Sequence, residues 1–162
     1  MVWKLQEYSQ NLGSTSYRLK YGLGEELFDE VKNNFNQNLK LDITRKENAI
    51  KIENIFDSQN SKLIGNIEIN SEEASESNIV IKYRSQDETS NYNNSVIRIF
   101  AKKKAKINIV IVNLLNTNSN NFLSSETELE EGAEVNYTVI DFGGKRSISN
   151  YYSNLARRYI KK

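Results

Sequence analysis

The stretch that decides the fold runs from Val96 to Tyr152, VIRIFAKKKAKINIVIVNLLNTNSNNFLSSETELEEGAEVNYTVIDFGGKRSISNYY. Within it Ile97 and Ile99, then Ile107, Ile109 and Ile111, then Val135, Tyr137 and Val139 stand at alternate positions. β-Branched residues at period two mark strands with one face buried. Two turns inside the stretch, AKKKAKI from Ala101 and EEGAEV from Glu130, are built alike and carry opposite charge.

The same alternation extends upstream. Leu39, Leu41 and Ile43 form one run, Ile50 and Ile52 a second, Ile67 and Ile69 a third, and Ile79, Ile81 and Tyr83 a fourth, while Ile148 marks a last one. Asn/Ser/Glu-rich segments separate them, among them Ser71–Asn78, Ser85–Ser95 and Asn116–Asn121, which read as turns. Before the strands, Leu27, Phe28, Val31 and Phe35 make one stripe of an amphipathic helix over Gly24–Gln37. Glu25, Glu26, Asp29 and Glu30 crowd its first turns, where the helix dipole favours negative charge. The stripe suits a helix lying over a sheet better than one presented to a partner. Further upstream, Trp3 and Leu5 are expected to pack on the body and Leu12–Ser16 to form a loop.

Spacing adds a second layer. Aligning Ile79, Ile107 and Val135 gives two steps of 28, and Ile50 sits 29 before Ile79. A second strand falls between these anchors, near Ile67, Ile97, Phe122 and Ile148. Stacked rungs with two strands per turn produce such a repeat. A meander or sandwich also spaces strands regularly, but the period near 28 favours a solenoid. In that register Ala105 lies over Ala133, Lys106 over Glu134, and Lys102–Lys104 over Glu130 and Glu131. At a rung spacing of about 4.8 Å the two turns would meet as opposite charges. KKKAK is therefore read as a solvated, partly paired turn before an anion-binding patch.

Composition limits the chemistry. The 162 residues suit one domain, 38% hydrophobic, with a net charge of +1 that gives no reason to expect a nucleic acid or an anionic membrane as partner. No apolar run approaches the ~18 residues of a spanning helix, and MVWKLQEYSQ has no signal-peptide segment. A soluble, cytoplasmic protein is expected. There is no Cys and no His, which removes thiolate nucleophiles, thiolate and imidazole ligands, and the commonest general base. No catalytic, cofactor-binding or metal-binding residue is assigned, and no cofactor is expected.

The remaining chemical motifs read as structural. Asp87 with Glu88 and Glu130 with Glu131 are neighbours in turns, whereas a glycosidase needs two carboxyls about 5–10 Å apart across a cleft. Asp141-Phe142-Gly143-Gly144-Lys145-Arg146 lacks the spacing of a phosphate loop and reads as a tight turn between Val139 and Ile148. Asn116–Ser125 could be a glycan-contacting loop, but polar turns of this kind are common. The nine Tyr lack the basic interleaving of a nucleic-acid platform.

With those residues laid out, the central stretch resembles the core domain of the SufB/SufD family, components of the SUF iron–sulfur cluster assembly machinery. The likeness rests on Asn78–Tyr83, Val96–Ile99, Ala105–Leu115, Glu128–Val135 and Ser147–Leu155, in that order and spacing. It covers roughly residues 75–155. It implies a right-handed parallel β-helix and a non-catalytic scaffold resembling SufD, acting with a SufC-like ATPase and a SufB-like paralogue. Two departures matter. The family's cluster-related Cys and His have no counterpart here, and its later rungs and ATPase-engaging helical segment are missing, as in a truncated or divergent copy or a fragment.

The expected organisation is an N-terminal lead-in over 1–38, a β-helix core over 39–155, and a basic tail or cap over 156–162. An open rung exposes unpaired backbone groups, so either the tail caps it or two chains pair there as a homodimer. The alternative function is a β-solenoid binding or adhesion module, for instance for glycans.

Overall fold

The computed structural model describes residues 22–47 and 49–155. Among them one helix, α1 (Glu25–Asn34), leads into β1 (Gln37–Ile43), β2 (Ile50–Phe56), β3 (Lys62–Ser71), β4 (Glu76–Ser85) and β5 (Tyr92–Ala101). These are followed by β6 (Lys106–Leu114), β7 (Asn120–Leu129), β8 (Glu134–Asp141) and β9 (Arg146–Leu155). Strands alternate between two sheets, ordered β1-β3-β5-β7-β9 and β2-β4-β6-β8, and every pairing is parallel. Each strand therefore bonds the strand two places away in sequence, and the chain winds as a β-helix of about four turns.

Between the sheets the alternating residues stack in ladders. Ile52, Ile81, Ile111 and Val139 form one, and Leu39, Ile67 and Ile97 face them from the other sheet. Most of these isoleucines are fully buried. Burying each such side chain contributes about 1.5–3 kcal/mol, and the ladder repeats that gain at every rung.

The register corrects one expectation. Ile79 pairs with Ile109, a step of 30, not with Ile107. The steps Ile50 to Ile79 and Ile107 to Val135 are as read from the sequence. The extra length lies in the β4–β5 connection. There Asp87 organises residues 86–91, accepting hydrogen bonds from the Thr89 N–H at 2.9 Å and the Ser58 N–H at 3.0 Å. A shift of two keeps the alternation, so the same side chains still face inward.

Helix α1 is shorter than its stripe suggests. It ends at Asn34, and Phe35 is already extended. The reason is Asn36, which docks on β3 through three bonds. Its N–H donates to the Ile64 carbonyl (2.9 Å), its amide donates to the Lys62 carbonyl (2.8 Å), and its Oδ1 accepts from the Ile64 N–H (2.8 Å). Val31 and Phe35 pack on Ile64 and Val96, so the helix covers the outer face of the five-stranded sheet. Glu30 fixes it there, accepting from Lys62 (2.8 Å), the Tyr92 hydroxyl (2.5 Å) and the Asn94 amide (2.9 Å).

Two turn expectations also change. Asn93, Asn94 and Ser95 belong to β5 and are buried, and Asn120–Ser125 belongs to β7. The loop read as glycan-contacting is therefore mostly a buried strand. Residues 1–21 and 156–162 lie outside the described residues. That includes the packing expected of Trp3 and Leu5, the Leu12–Ser16 loop, and the capping role expected of the basic tail.

Candidate functional site

Three four-residue turns carry the chain from the five-stranded to the four-stranded sheet: 72–75, 102–105 and 130–133. In each, the first carbonyl accepts from the fourth N–H at 3.0–3.1 Å, and the third residue is left-handed: Ala74, Lys104 and Gly132. The turns also bond one another, through the Ala74 N–H to the Lys103 carbonyl and the Lys104 N–H to the Glu131 carbonyl. Their side chains alternate in sign from rung to rung. Lys46 meets Glu76 at 2.7 Å, Lys102 meets Glu72 at 2.7 Å, Lys103 meets Glu131 at 3.5 Å and Lys106 meets Glu134 at 3.8 Å.

The sequence placed Lys102–Lys106 over Glu130–Glu134, and the ion pairs of Lys103 and Lys106 show that stacking. It missed that Lys102 turns back to Glu72, which raises its pKa through that hydrogen bond. The segregation is sharp. The rung from Tyr92 to Leu115 holds five bases and no acid, and the rung from Asn120 to Asp141 holds six acids and no base. Exposed pairs contribute little individually, but like charges stacked at rung spacing oppose any slip of register.

The interior changes character toward the last rung. On β8, Tyr137 takes the place that Ile79 and Ile109 hold on the strands before it. Its hydroxyl crosses to β7, 2.8 Å from the Ser125 hydroxyl and 2.5 Å from that of Thr127. Burial raises the Tyr137 pKa, partly offset by those two bonds. Tyr151 on β9 packs edge-on against its ring, with centroids 5.5 Å apart.

This last rung is the candidate site. Among the described residues β8 pairs only with β6 and β9 only with β7, so each leaves one edge unpaired. Among the described residues the exposed large hydrophobic ones all belong to this rung: Val139, Ile140, Phe142 (75% exposed), Ile148, Tyr151 and Leu155 (68%). Glu130, Glu131 and Glu134 stand at one corner. At the other, the connection closes as the expected tight turn, with Gly143 and Gly144 both left-handed and Lys145 and Arg146 exposed. Asp141 at that corner is taken up by the Asn113 amide (2.9 Å), the Ser147 hydroxyl (2.5 Å) and the Gly143 N–H (2.9 Å). A groove of about 320 Å³ runs beside the acidic corner, lined by Phe100, Lys102, Glu128, Leu129, Glu130 and Leu155. Such an edge offers main-chain hydrogen bonding and apolar contact to a partner strand.

The carboxylates singled out in the sequence do not converge. The bonds that Asp87 accepts from Thr89 and Ser58 outweigh its slight burial and lower its pKa, whereas Glu130 accepts from the Lys103 N–H at 3.0 Å. Among the described residues no group of three acidic, His or Cys side chains could hold a metal ion, and no helix is long and apolar enough to cross a membrane.

The model of the family described as SUF system FeS cluster assembly, SufBD core domain, matches residues 54–161, two thirds of the chain. The chain belongs to the SufBD family. No curated protein and no solved structure matches it. The matched segment takes in β3 to β9 whole, so the family's core domain corresponds here to the β-helix and includes its last rung. Membership assigns the chain to SUF iron–sulfur cluster assembly, whose SufBD subunits are assembly components, not classical enzymes, and work in complexes with other Suf proteins.

Proposed function

We infer that the chain is a non-catalytic, SufD-like scaffold subunit that acts in iron–sulfur cluster assembly through protein–protein contacts. One observation carries the reading. A family-matching β-helix presents a rung with unpaired strand edges and exposed apolar side chains, in a chain with neither Cys nor His. A nascent cluster needs thiolate or imidazole ligands, and this chain supplies none. Those ligands come from other subunits, and what this one contributes is surface.

Its partners on this reading are a SufC-like ATPase and a SufB-like paralogue in the cytoplasm. The last rung also admits a second copy of the chain. Residues 1–38 form the lead-in, 39–155 the wall and 156–162 a basic tail. Co-expression of the tagged chain with both Suf proteins tests this. Co-purification of either is the expected result, and recovery of the chain alone, with binding to a polysaccharide, would favour a glycan-binding solenoid instead.

A further inference from the structure

The interior of the first two rungs holds polar atoms that the side chains around them leave unpaired. The Gln37 amide of β1 donates to the Asn54 Oδ1 of β2 at 2.9 Å, which uses one end of each amide. The other ends, Gln37 Oε1 and Asn54 Nδ2, are shielded from solvent and have no hydrogen-bond partner. The Tyr83 hydroxyl of β4 is in the same state. Burial raises its pKa, and Ser95 lies close enough to offset part of that rise, but outside hydrogen-bonding geometry. Ser95 itself donates to the Asn93 Oδ1 at 2.6 Å. A buried polar atom without a partner opposes folding, and native interiors rarely keep one.

The three atoms belong to one level of the β-helix. Asn54 and Tyr83 are register partners in the four-stranded sheet. Gln37, Gly65 and Ser95 follow one another in register in the five-stranded sheet. The Gln37–Asn54 bond and the nearness of Ser95 to Tyr83 tie these two rows together across the interior. In the middle of the second row stands a residue with no side chain. A Cβ on Gly65 would come 2.6 Å from the Ser95 hydroxyl and 3.4 Å from the Gln37 Oε1. Gly65 is therefore where the polar tips of Gln37 and Ser95 come together.

Rearranging the amides does not satisfy them. Turning both over reverses the Gln37–Asn54 bond and again orphans one donor and one acceptor. The chemistry of the orphaned pair selects the ligand. A cation would meet the Asn54 N–H, an anion would meet the Gln37 oxygen, and an apolar molecule would satisfy neither. Water accepts from the first, donates to the second and has capacity left for a third partner. We propose that the first two rungs hold a structural water beside Gly65, accepting from Asn54 Nδ2, donating to Gln37 Oε1 and bonding the Tyr83 hydroxyl. The water joins the first rung to the second through hydrogen bonds inside the β-helix.

A crystal structure of the full chain, at a resolution that shows ordered water, tests this directly. The expected result is one water within about 3.2 Å of Gln37 Oε1, Asn54 Nδ2 and the Tyr83 hydroxyl. The same water should be gone from Gln37→Leu/Asn54→Leu, which removes the orphaned donor and acceptor together. Its persistence there would assign it to other groups and overturn the proposal. If that variant does not fold, the native structure alone decides. No water at that place, or side chains turned to bond one another, overturns the site. A metal ion about 2.4 Å from an Asn54 oxygen turned inward would overturn the choice of water.

Discussion

The Tyr137 hydroxyl of β8 lies 2.5 Å from the Thr127 hydroxyl of β7, a bond made across the interior between the two sheets. It explains why β7 carries Ser125 and Thr127 where β1, β3 and β5 have Leu or Ile. Tyr137→Phe leaves two buried hydroxyls unsatisfied and should destabilise by about 1–3 kcal/mol. Adding Ser125→Ala and Thr127→Val, which remove the orphaned groups, should recover part of that loss. Urea unfolding of the single and triple variants measures both.

Gly65 is set by packing. A Cβ there would stand 2.6 Å from the Ser95 hydroxyl and 3.4 Å from the Gln37 Oε1, both of which use the space beside it. Gly65→Ala should cost about 1–3 kcal/mol, as overpacking does. Ser95→Ala in the same chain should relieve much of the cost, which a double-mutant cycle in urea would show.

Much of this fold was legible because its core is isoleucine at period two. Ile79, Ile81, Ile109 and Ile111 announce their strands, and the opposed charges of Lys103 and Glu131 announce their stacking. Three features were hidden. Asn93 and Asn121 look like turn residues, yet the Asn93 amide donates to Asn121 at 2.7 Å inside the wall. β7 looks polar because its hydroxyls serve Tyr137. The step of 30 from Ile79 to Ile109 depends on the length of the 86–91 connection, which period-two patterning does not report. The last rung was foreseen only as an open end, because exposure of Val139 and Leu155 follows from what does not stack on them.

Ala74 has φ 56° at the turn position that its counterpart Gly132 occupies with φ 72°. A left-handed non-glycine residue costs about 1–2 kcal/mol, partly offset by glycine's larger entropy loss on folding. Ala74→Gly should therefore raise stability by up to ~1 kcal/mol. Equal or lower stability in thermal unfolding would show that the turn is not strained.

Glu30 links helix docking to pH. Burial raises its pKa, but hydrogen bonds from Lys62, Tyr92 and Asn94, with the Lys62 charge, prevail and lower it. A carboxyl lowered in the folded state stabilises above its unfolded pKa and loses that contribution as pH falls through the folded value. The stability gap between the native chain and Glu30→Gln should thus be constant near neutrality and shrink as pH drops from about 5 toward 3. A gap that stays constant over that range would remove Glu30 from the account.

The account's central claim is that this β-helix is a scaffold held in a SUF complex through its last rung. Light scattering of the purified chain mixed with a SufC-like ATPase and a SufB-like partner tests it most directly. The account predicts a discrete complex containing the chain, lost when Phe142→Glu and Leu155→Glu place charge on the exposed apolar end. Elution of the native chain apart from both proteins at every ratio would contradict it.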